Sequence, residues 1–315
     1  MKTEHLIILG VGLGVVAIAA FLEARAGAYK KGTEITVETI KHGITNPKIW
    51  LYYNNSEVNS RNWDDFGARS SRVLNIPLLN LFYETIVKAN GDKYTVEVIG
   101  GLTGVAELLG SDAIPSQMKR NGSVGTAEED WIRTAILAKY GGLWLSPSVV
   151  SIRGFGPLPK DKVVAFGQDD SSMYGTANPG FRALWSPYPN HPQFIEWEKR
   201  IRERLEGQFG GLQIRGDAKS DWHDIFGGHA DVEIRRGAEF GRKADGKKLE
   251  LEDIFSNTVA IQIPHDAVYM VIPYAELLDR RIFGWVLKIS EEDLLSSNLF
   301  ISNLINDLLL KNCSN

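Results

Sequence analysis

The chain has 315 residues, 43% apolar and 23% charged, with a net charge of −4 at pH 7. These proportions belong to a globular protein and exclude a chain disordered throughout. No long basic stretch is present, which argues against nucleic acid as a partner because phosphate binding needs a concentrated cationic face. Its single cysteine, Cys313, allows no intrachain disulfide, and no Cys/His spacing suggests structural zinc.

The first element in chain order is Leu6–Leu22, uncharged and apolar over 17 residues. As a helix it would span about 26 Å, the short end of what crosses a bilayer core. Ala24-Arg25-Ala26 resembles a signal-peptidase site, but the run exceeds the apolar core of about 7–15 residues typical of a signal peptide. The expectation is one retained N-terminal transmembrane helix, with residues 1–25 as anchor and 26–45 as connector. Gly10, Gly12 and Gly14 suggest a dinucleotide-binding turn, but that fingerprint needs a glycine where Val15 stands, so they read as small residues of a membrane helix. Lys2 precedes the segment and Arg25, Lys30 and Lys31 follow it, a small excess that leans towards a cytoplasmic body.

Within the connector, Glu34–Ile40 alternates apolar and polar residues as a short half-exposed strand would. The globular body is expected over 46–289. Ile49–Tyr53 reads as a buried strand that ends in the polar turn Asn54-Asn55-Ser56. A helix from about Ile76 to Ala89 follows, then the break Asn90-Gly91-Asp92 and a strand over Tyr94–Ile99. Strand, helix, strand is a βαβ unit, which predicts a mainly parallel sheet in an α/β fold.

Thr126-Ala-Glu-Glu129 has the pattern of a capping box, with Thr126 as N-cap, and opens a helix whose apolar face includes Trp131, Ile132, Ala135 and Ile136. Gly141 and Gly142 suit a left-handed exit from that helix, and Leu143–Leu145 then enters the sheet interior. Farther on, strands are expected at Val163–Phe166 and Val259–Ile263, with a charged amphipathic helix from Phe194 to Glu206. Ser290–Asp293 opens a final amphipathic helix within 290–315, capped and acidic in its first turn. Its residues Leu295, Leu299, Leu304, Ile305, Leu308 and Leu309 are expected on the body, with a protein partner or a membrane as the alternative.

Asp217, Asp221, His223, Asp224, His229 and Asp231 include metal-ligating types, but their spacing matches no motif of definite geometry, so they read as polar loop residues with His223 near a helix start. Neither a nucleophile elbow nor a Walker loop occurs.

Asp130-Trp-Ile-Arg133, followed by Tyr140-Gly-Gly-Leu-Trp-Leu145, resembles the DxD-type sugar-binding and capsular-polysaccharide-synthesis glycosyltransferases. Their pattern is Asp-x-x-Arg on a helix, Tyr-Gly-Gly, an apolar strand, then Asp-x-Asp; Pro47–Trp50 resembles their first strand. The resemblance is strongest over about 46–165, thins towards about 280 and leaves out the anchor. Body sequences with a serine-bearing turn, similar to this one, also occur among proteins of large DNA viruses. The resemblance implies a GT-A-like nucleotide-diphospho-sugar transferase fold with the donor at the carboxyl ends of the strands. Tyr52, Tyr53 and Asn54 would face the base or ribose, and Asp130 and Arg133 would border the sugar.

At the turn itself this chain carries Ser146-Pro147-Ser148 in place of two aspartates. Magnesium or manganese prefers anionic oxygen ligands, so a metal held by this turn is not expected. Lys119, Arg120, Arg153 and Arg182 are candidate cations for a leaving diphosphate, and Asp169 and Asp170 are candidate bases for an acceptor hydroxyl. The reading is a membrane-anchored hexosyltransferase-like protein that moves sugar from a nucleotide donor to a glycan, lipid or protein. The alternative is a degenerate transferase serving as a glycan-binding or structural membrane protein, for instance in a virion.

Overall fold

The computed structural model describes residues 46–54, 76–122, 124–167, 180–207, 217–243, 245–258 and 261–310. All of them belong to one unit, Asn46–Asn315. The expected transmembrane helix at Leu6–Leu22, the strand at Glu34–Ile40 and the end of the Asn54–Ser56 turn lie outside the described residues. Among the described residues no helix is long and apolar enough to cross a membrane.

The body opens with β1 (Lys48–Tyr53), α1 (Pro77–Asn90) and β2 (Thr95–Gly100), the expected βαβ unit. Three helices follow, α2 (Gly101–Leu109), α3 (Ser116–Asn121) and α4 (Thr126–Tyr140), and the last leads into β3 (Gly142–Leu145). The next elements are β4 (Val149–Ser151), β5 (Val163–Phe166), β6 (Ala183–Ser186), α5 (Pro192–Gly207), α6 (Ala218–Phe226) and β7 (Val232–Arg235). The chain then forms β8 (Glu239–Phe240), α7 (Leu251–Ile254), β9 (Tyr269–Val271) and α8 (Tyr274–Asp279), and closes with α9 (Glu291–Ser296) and α10 (Phe300–Leu310).

The main sheet has six strands in the order β2-β1-β3-β6-β5-β7, and β4, β9 and β8 form a small second sheet. In the main sheet β1 pairs in parallel with β2 and with β3, and β5 with β7, while β6 runs antiparallel to both neighbours. The sheet is thus mainly parallel, as expected. Its polarity brings the carboxyl ends of β1, β2, β3, β5 and β7 to one edge, together with the amino end of β6.

Alternation along β1 feeds two cores. Ile49, Leu51 and Tyr53 enter one with Leu78, Phe82 and Ile86 of α1, whereas Trp50 and Tyr52 enter the other with Trp131, Ile132 and Ile136 of α4. The helices α1 and α4 therefore cover opposite faces, and the strands they lead into lie on opposite sides of β1. That reversal is a topological switch point, located at the carboxyl ends of β1 and β3.

Four local expectations need correction. The N-cap of α4 is Gly125, not Thr126: the Gly125 N–H donates to Glu128 Oε2 at 3.0 Å, so the reaching acid is one residue earlier than Glu129. The strand expected at Val259–Ile263 is absent over 261–263, and the ladder runs at Tyr269–Val271 instead. Pro264 follows that apolar pair without a backbone donor, and β4 and β8 offer their free edges to 269–271. His223 falls in the later half of α6, and Asp217 is that helix's N-cap, accepting from Ser220 N at 2.8 Å.

The final helix is two helices. Ser290 caps the first as expected, its hydroxyl accepting from Asp293 N at 3.0 Å. The chain then turns at Ser297, whose hydroxyl donates to Leu294 O at 2.6 Å and lies 2.7 Å from Ser302 Oγ. Such local side-chain bonds compete with helix continuation. Leu294, Ile301, Ile305 and Leu309 are buried in the core that α1 shares, so this segment is part of the body and its apolar face is used internally.

The junction of α4 and β3 depends on two glycines. Gly141 and Gly142 have φ of 65° and 93°, and a methyl group at Gly142 would stand 2.8 Å from Lys48 O and 3.0 Å from Trp50 Nε1. Gly142→Ala is therefore expected to lose about 1–3 kcal/mol from the strained φ alone, with further loss from the backbone contact. Urea denaturation checks this, and an unchanged midpoint would count against it.

Candidate functional site

β1 and β3 pair at Ile49↔Leu143 and Trp50↔Trp144. The same register carried two residues on sets Tyr52 beside Ser146, so the exit of β1 and the Ser146-Pro147-Ser148 turn flank the switch point. Ser146 Oγ and Ser148 Oγ are hydrogen-bonded at 2.9 Å, and Ser148 N also approaches Ser146 Oγ at 3.4 Å. Backbone bonds hold the turn from both sides: Ser146 N donates to Arg182 O at 2.7 Å, and Ile272 N donates to Ser148 O at 3.0 Å. The first ties it to the entrance of β6 and the second to the exit of β9.

A divalent metal does not fit this donor set. The two hydroxyls are neutral and bonded to each other, Pro147 supplies no N–H, and hard cations want anionic oxygens. Among the described residues no group of three His, Cys, Asp or Glu side chains could hold a metal ion. The constellation at 217–231 is accounted for otherwise. Beside the capping Asp217, the buried Asp221 forms a two-point ion pair with Arg204.

The tyrosines expected to face the donor are core groups. Tyr53 is fully buried in one core, and Tyr52 packs in the other, stacked on Trp144 with ring centroids 6.4 Å apart. The alternation of β1 that makes it a central strand turns both rings into the two cores. At this exit the exposed side chain is that of Asn54.

Asp130 and Arg133 do come together near the start of α4. Arg133 Nη2 donates to Asp130 Oδ1 at 2.5 Å, and the guanidinium carbon lies 4.9 Å from the centroid of Phe181 and 5.8 Å from that of Trp197. The Arg133 side chain is only 6% exposed against 19% for Asp130. Arg133 is thus enclosed by rings, and Asp130 is the member of the pair with access to solvent. Burial of the neighbouring Glu129 pushes its carboxyl above the ordinary 4.5, with Arg133 opposing and Asp130 adding to the shift.

Of the four candidate cations, one adjoins the turn. Lys119 and Arg120 are exposed on α3, where Arg120 donates to Ser116 Oγ at 3.2 Å. Arg153 follows β4 beside Gly154, which packs against Ala89 O at the end of α1, the opposite edge of the sheet. Arg182 precedes β6 at the turn, and its Nη1 lies 3.1 Å from Glu239 Oε1. The other oxygen, Glu239 Oε2, accepts the Tyr269 hydroxyl at 2.8 Å. Burial, then the charge and hydrogen bond of Glu239, push Tyr269 well above the ordinary tyrosine range, with Arg182 opposing. The phenol stays protonated and donates.

Glu239 and Tyr269 carried no motif in the sequence. They reach the site through β8 and β9, the small sheet whose strands had no strong alternation. The candidate bases Asp169 and Asp170 lie outside the described residues.

No family model matches the chain, and no curated protein matches it. Solved structures that resemble it are glycosyltransferases. They include the PaToxG glycosyltransferase, with a TM-score of 0.34 at 13% identity over 64% of this chain and 79% of that one. Another is the galactosyltransferase LgtC in complex with donor and acceptor sugar analogs, with a TM-score of 0.40 at 9% identity over 84% and 95% of the two chains. Likeness at this level says nothing of individual residues, and the site stands on its own geometry.

The half-buried Glu129 gives a pH prediction. A carboxyl raised in the folded state stabilises fully below its unfolded value of 4.5, and that contribution is lost as pH rises through the higher folded value. Glu129→Gln is therefore expected to gain stability relative to wild type on going from about pH 4 to pH 7. Urea midpoints at the two pH values decide it, and an equal difference at both would refute a Glu129 carboxyl raised by desolvation.

Proposed function

We propose that this chain is a glycosyltransferase-type protein that binds a nucleotide sugar in the crevice between the carboxyl ends of β1 and β3 and transfers the sugar to a glycan, lipid or protein. The observation that carries the reading is the switch point itself. With α1 and α4 on opposite faces and β2 and β3 on opposite sides of β1, the sheet opens a crevice where α/β sheets of this kind take their ligands. We assign its polar rim to Asn54 at the β1 exit, the serine turn at the β3 exit and Asp130 near the opening of α4.

Transfer requires that the sugar be held while its diphosphate departs and the acceptor oxygen approaches. Asp130, fixed by its bond to the enclosed Arg133, is placed to accept a hydrogen bond from a sugar hydroxyl. Asp169 and Asp170 come shortly after β5 in the sequence, and we assign them the removal of the acceptor proton. We read Leu6–Leu22 as the tether of the domain to a membrane, with the body on the cytoplasmic face.

Calorimetry of the full chain with a panel of nucleotide sugars, followed by a transfer and hydrolysis assay, tests the reading. At least one donor is expected to bind, and Asn54→Trp, which fills the exposed β1 exit, is expected to weaken it by tenfold or more. Failure of every donor, or binding indifferent to Asn54→Trp, would overturn the proposed site. Binding without turnover would leave the crevice but withdraw the transfer, favouring a sugar-binding protein on the same fold.

A further inference from the structure

On the proposed reading the crevice takes a nucleoside diphosphate, yet the turn that would bring a metal to it holds two neutral hydroxyls. A departing diphosphate develops negative charge that a catalyst has to face with positive charge. We propose that the Arg182 guanidinium takes this part, binding the donor diphosphate directly and steadying its charge as it leaves, with no divalent metal between them. The proposal rests on the reading of the crevice as a nucleotide-sugar site.

Position is the first support. The Arg182 carbonyl accepts from Ser146 N at 2.7 Å, so this residue is the turn's own backbone neighbour at the ligand-binding edge. Orientation is the second. Glu239 Oε1 lies 3.1 Å from Arg182 Nη1 and Tyr269 donates to Glu239 Oε2 at 2.8 Å, which anchors the guanidinium from the protein side. One contact of this kind leaves most of the five guanidinium donors for a ligand, in the planar fork that matches phosphate oxygens.

Exposure is the third. The Arg182 side chain is 41% exposed, whereas its partner Glu239 is 12% exposed. Carboxylate and phenol form a floor, and the cation is presented above it. The other arginine near the crevice, Arg133, is shut in at 6% exposure and offers no charge to a ligand.

Two glycines keep room for this arrangement. A methyl group at Gly180 would stand 2.9 Å from Arg182 Nη1, and one at Gly167 would stand 2.6 Å from Glu239 Oε2. Gly167 has a φ of 75°, so it is required by its backbone as well, but Gly180 is not among the positive-φ residues. At Gly180 the only close atom is the far end of a flexible side chain. A substitution there moves the guanidinium and leaves the fold intact.

In the transfer step the bond between the anomeric carbon and the diphosphate oxygen breaks, and its electron pair stays on that oxygen. The acceptor hydroxyl oxygen bonds to the anomeric carbon and its proton passes to a carboxylate base. Arg182 forms no covalent bond and keeps its proton throughout, donating hydrogen bonds that shorten as charge grows on the leaving oxygen.

The test is titration of the full chain in detergent with uridine and guanosine diphosphates, once in EDTA and once with manganese. Wild type is expected to bind one of them in EDTA with an affinity that manganese changes less than threefold. Arg182→Ala is expected to bind at least tenfold more weakly. Gly180→Ala is expected to melt at the wild-type temperature yet bind several-fold more weakly, and Arg153→Ala, at the other edge of the sheet, to match wild type. A wild type that binds only with manganese, or an Arg182→Ala or Gly180→Ala that binds as well as wild type, overturns the role of Arg182 while the crevice stands. If wild type binds neither of these nor the adenosine, cytidine or thymidine diphosphate in either condition, the nucleotide-sugar reading itself falls.

Discussion

The position of the crevice is set at the far end of β3, where backbone has to pass against backbone. Trp50 Nε1 donates to Gly141 O at 2.8 Å, and Gly142 lies so close to Lys48 O that a methyl group would come within 2.8 Å of it. This junction locks the exit of α4 beside β1 and starts β3 in register with it. Everything at the ligand-binding edge follows from that register over the length of one short strand. The strand is four residues long, so a shift of one would turn Ser146 to the other face and move the Arg182 carbonyl off its N–H.

Charge at that edge is distributed differently from the pattern that the resemblance implies. Two aspartates on the turn would repel each other and need a cation to be stable side by side. The serines need none, since Ser146 Oγ and Ser148 Oγ bond one another at 2.9 Å. With no negative charge on the turn, a positive side chain beside it is no longer quenched from that direction. Among the described residues the carboxylate paired with Arg182 is Glu239, which is less exposed than the guanidinium. The loss of the carboxylates and the exposure of Arg182 are therefore two parts of one electrostatic arrangement.

Much of the fold was legible in the sequence because its signals are local. The continuous apolar run Ile49–Tyr53, the apolar face of Trp131–Ile136 and the double glycine each report their own element, and each element formed with bounds within a few residues of those expected. The misses share a physical origin. The strand at Tyr269–Val271 exists because β4 and β8 present edges to it, and partner edges far along the chain leave no mark on the local pattern. The split of the last helix is accompanied by a bond between Ser297 and Ser302, a contact that forms only after the turn has been made and so leaves no periodic mark in the sequence.

The site was legible to the extent that it is carried by one stretch of chain. Asp130, Arg133 and the serine turn lie within a single helix–strand segment, and the sequence pattern singled out all of them as candidates. Burial decides which of them can meet a ligand, and that comes from elsewhere: Phe181, just before β6, and Trp197 of α5 enclose Arg133. Arg182 stood in the sequence as one of four equivalent cations. It is singled out by Ser146 across the sheet, by Glu239 more than fifty residues downstream, and by the small side of Gly180. Long-range placement, rather than residue type, sets this arginine apart from its sequence neighbours. The same reasoning explains why the serine turn is not by itself evidence of an abandoned site: a charge removed from one strand end can be answered by one presented from the next.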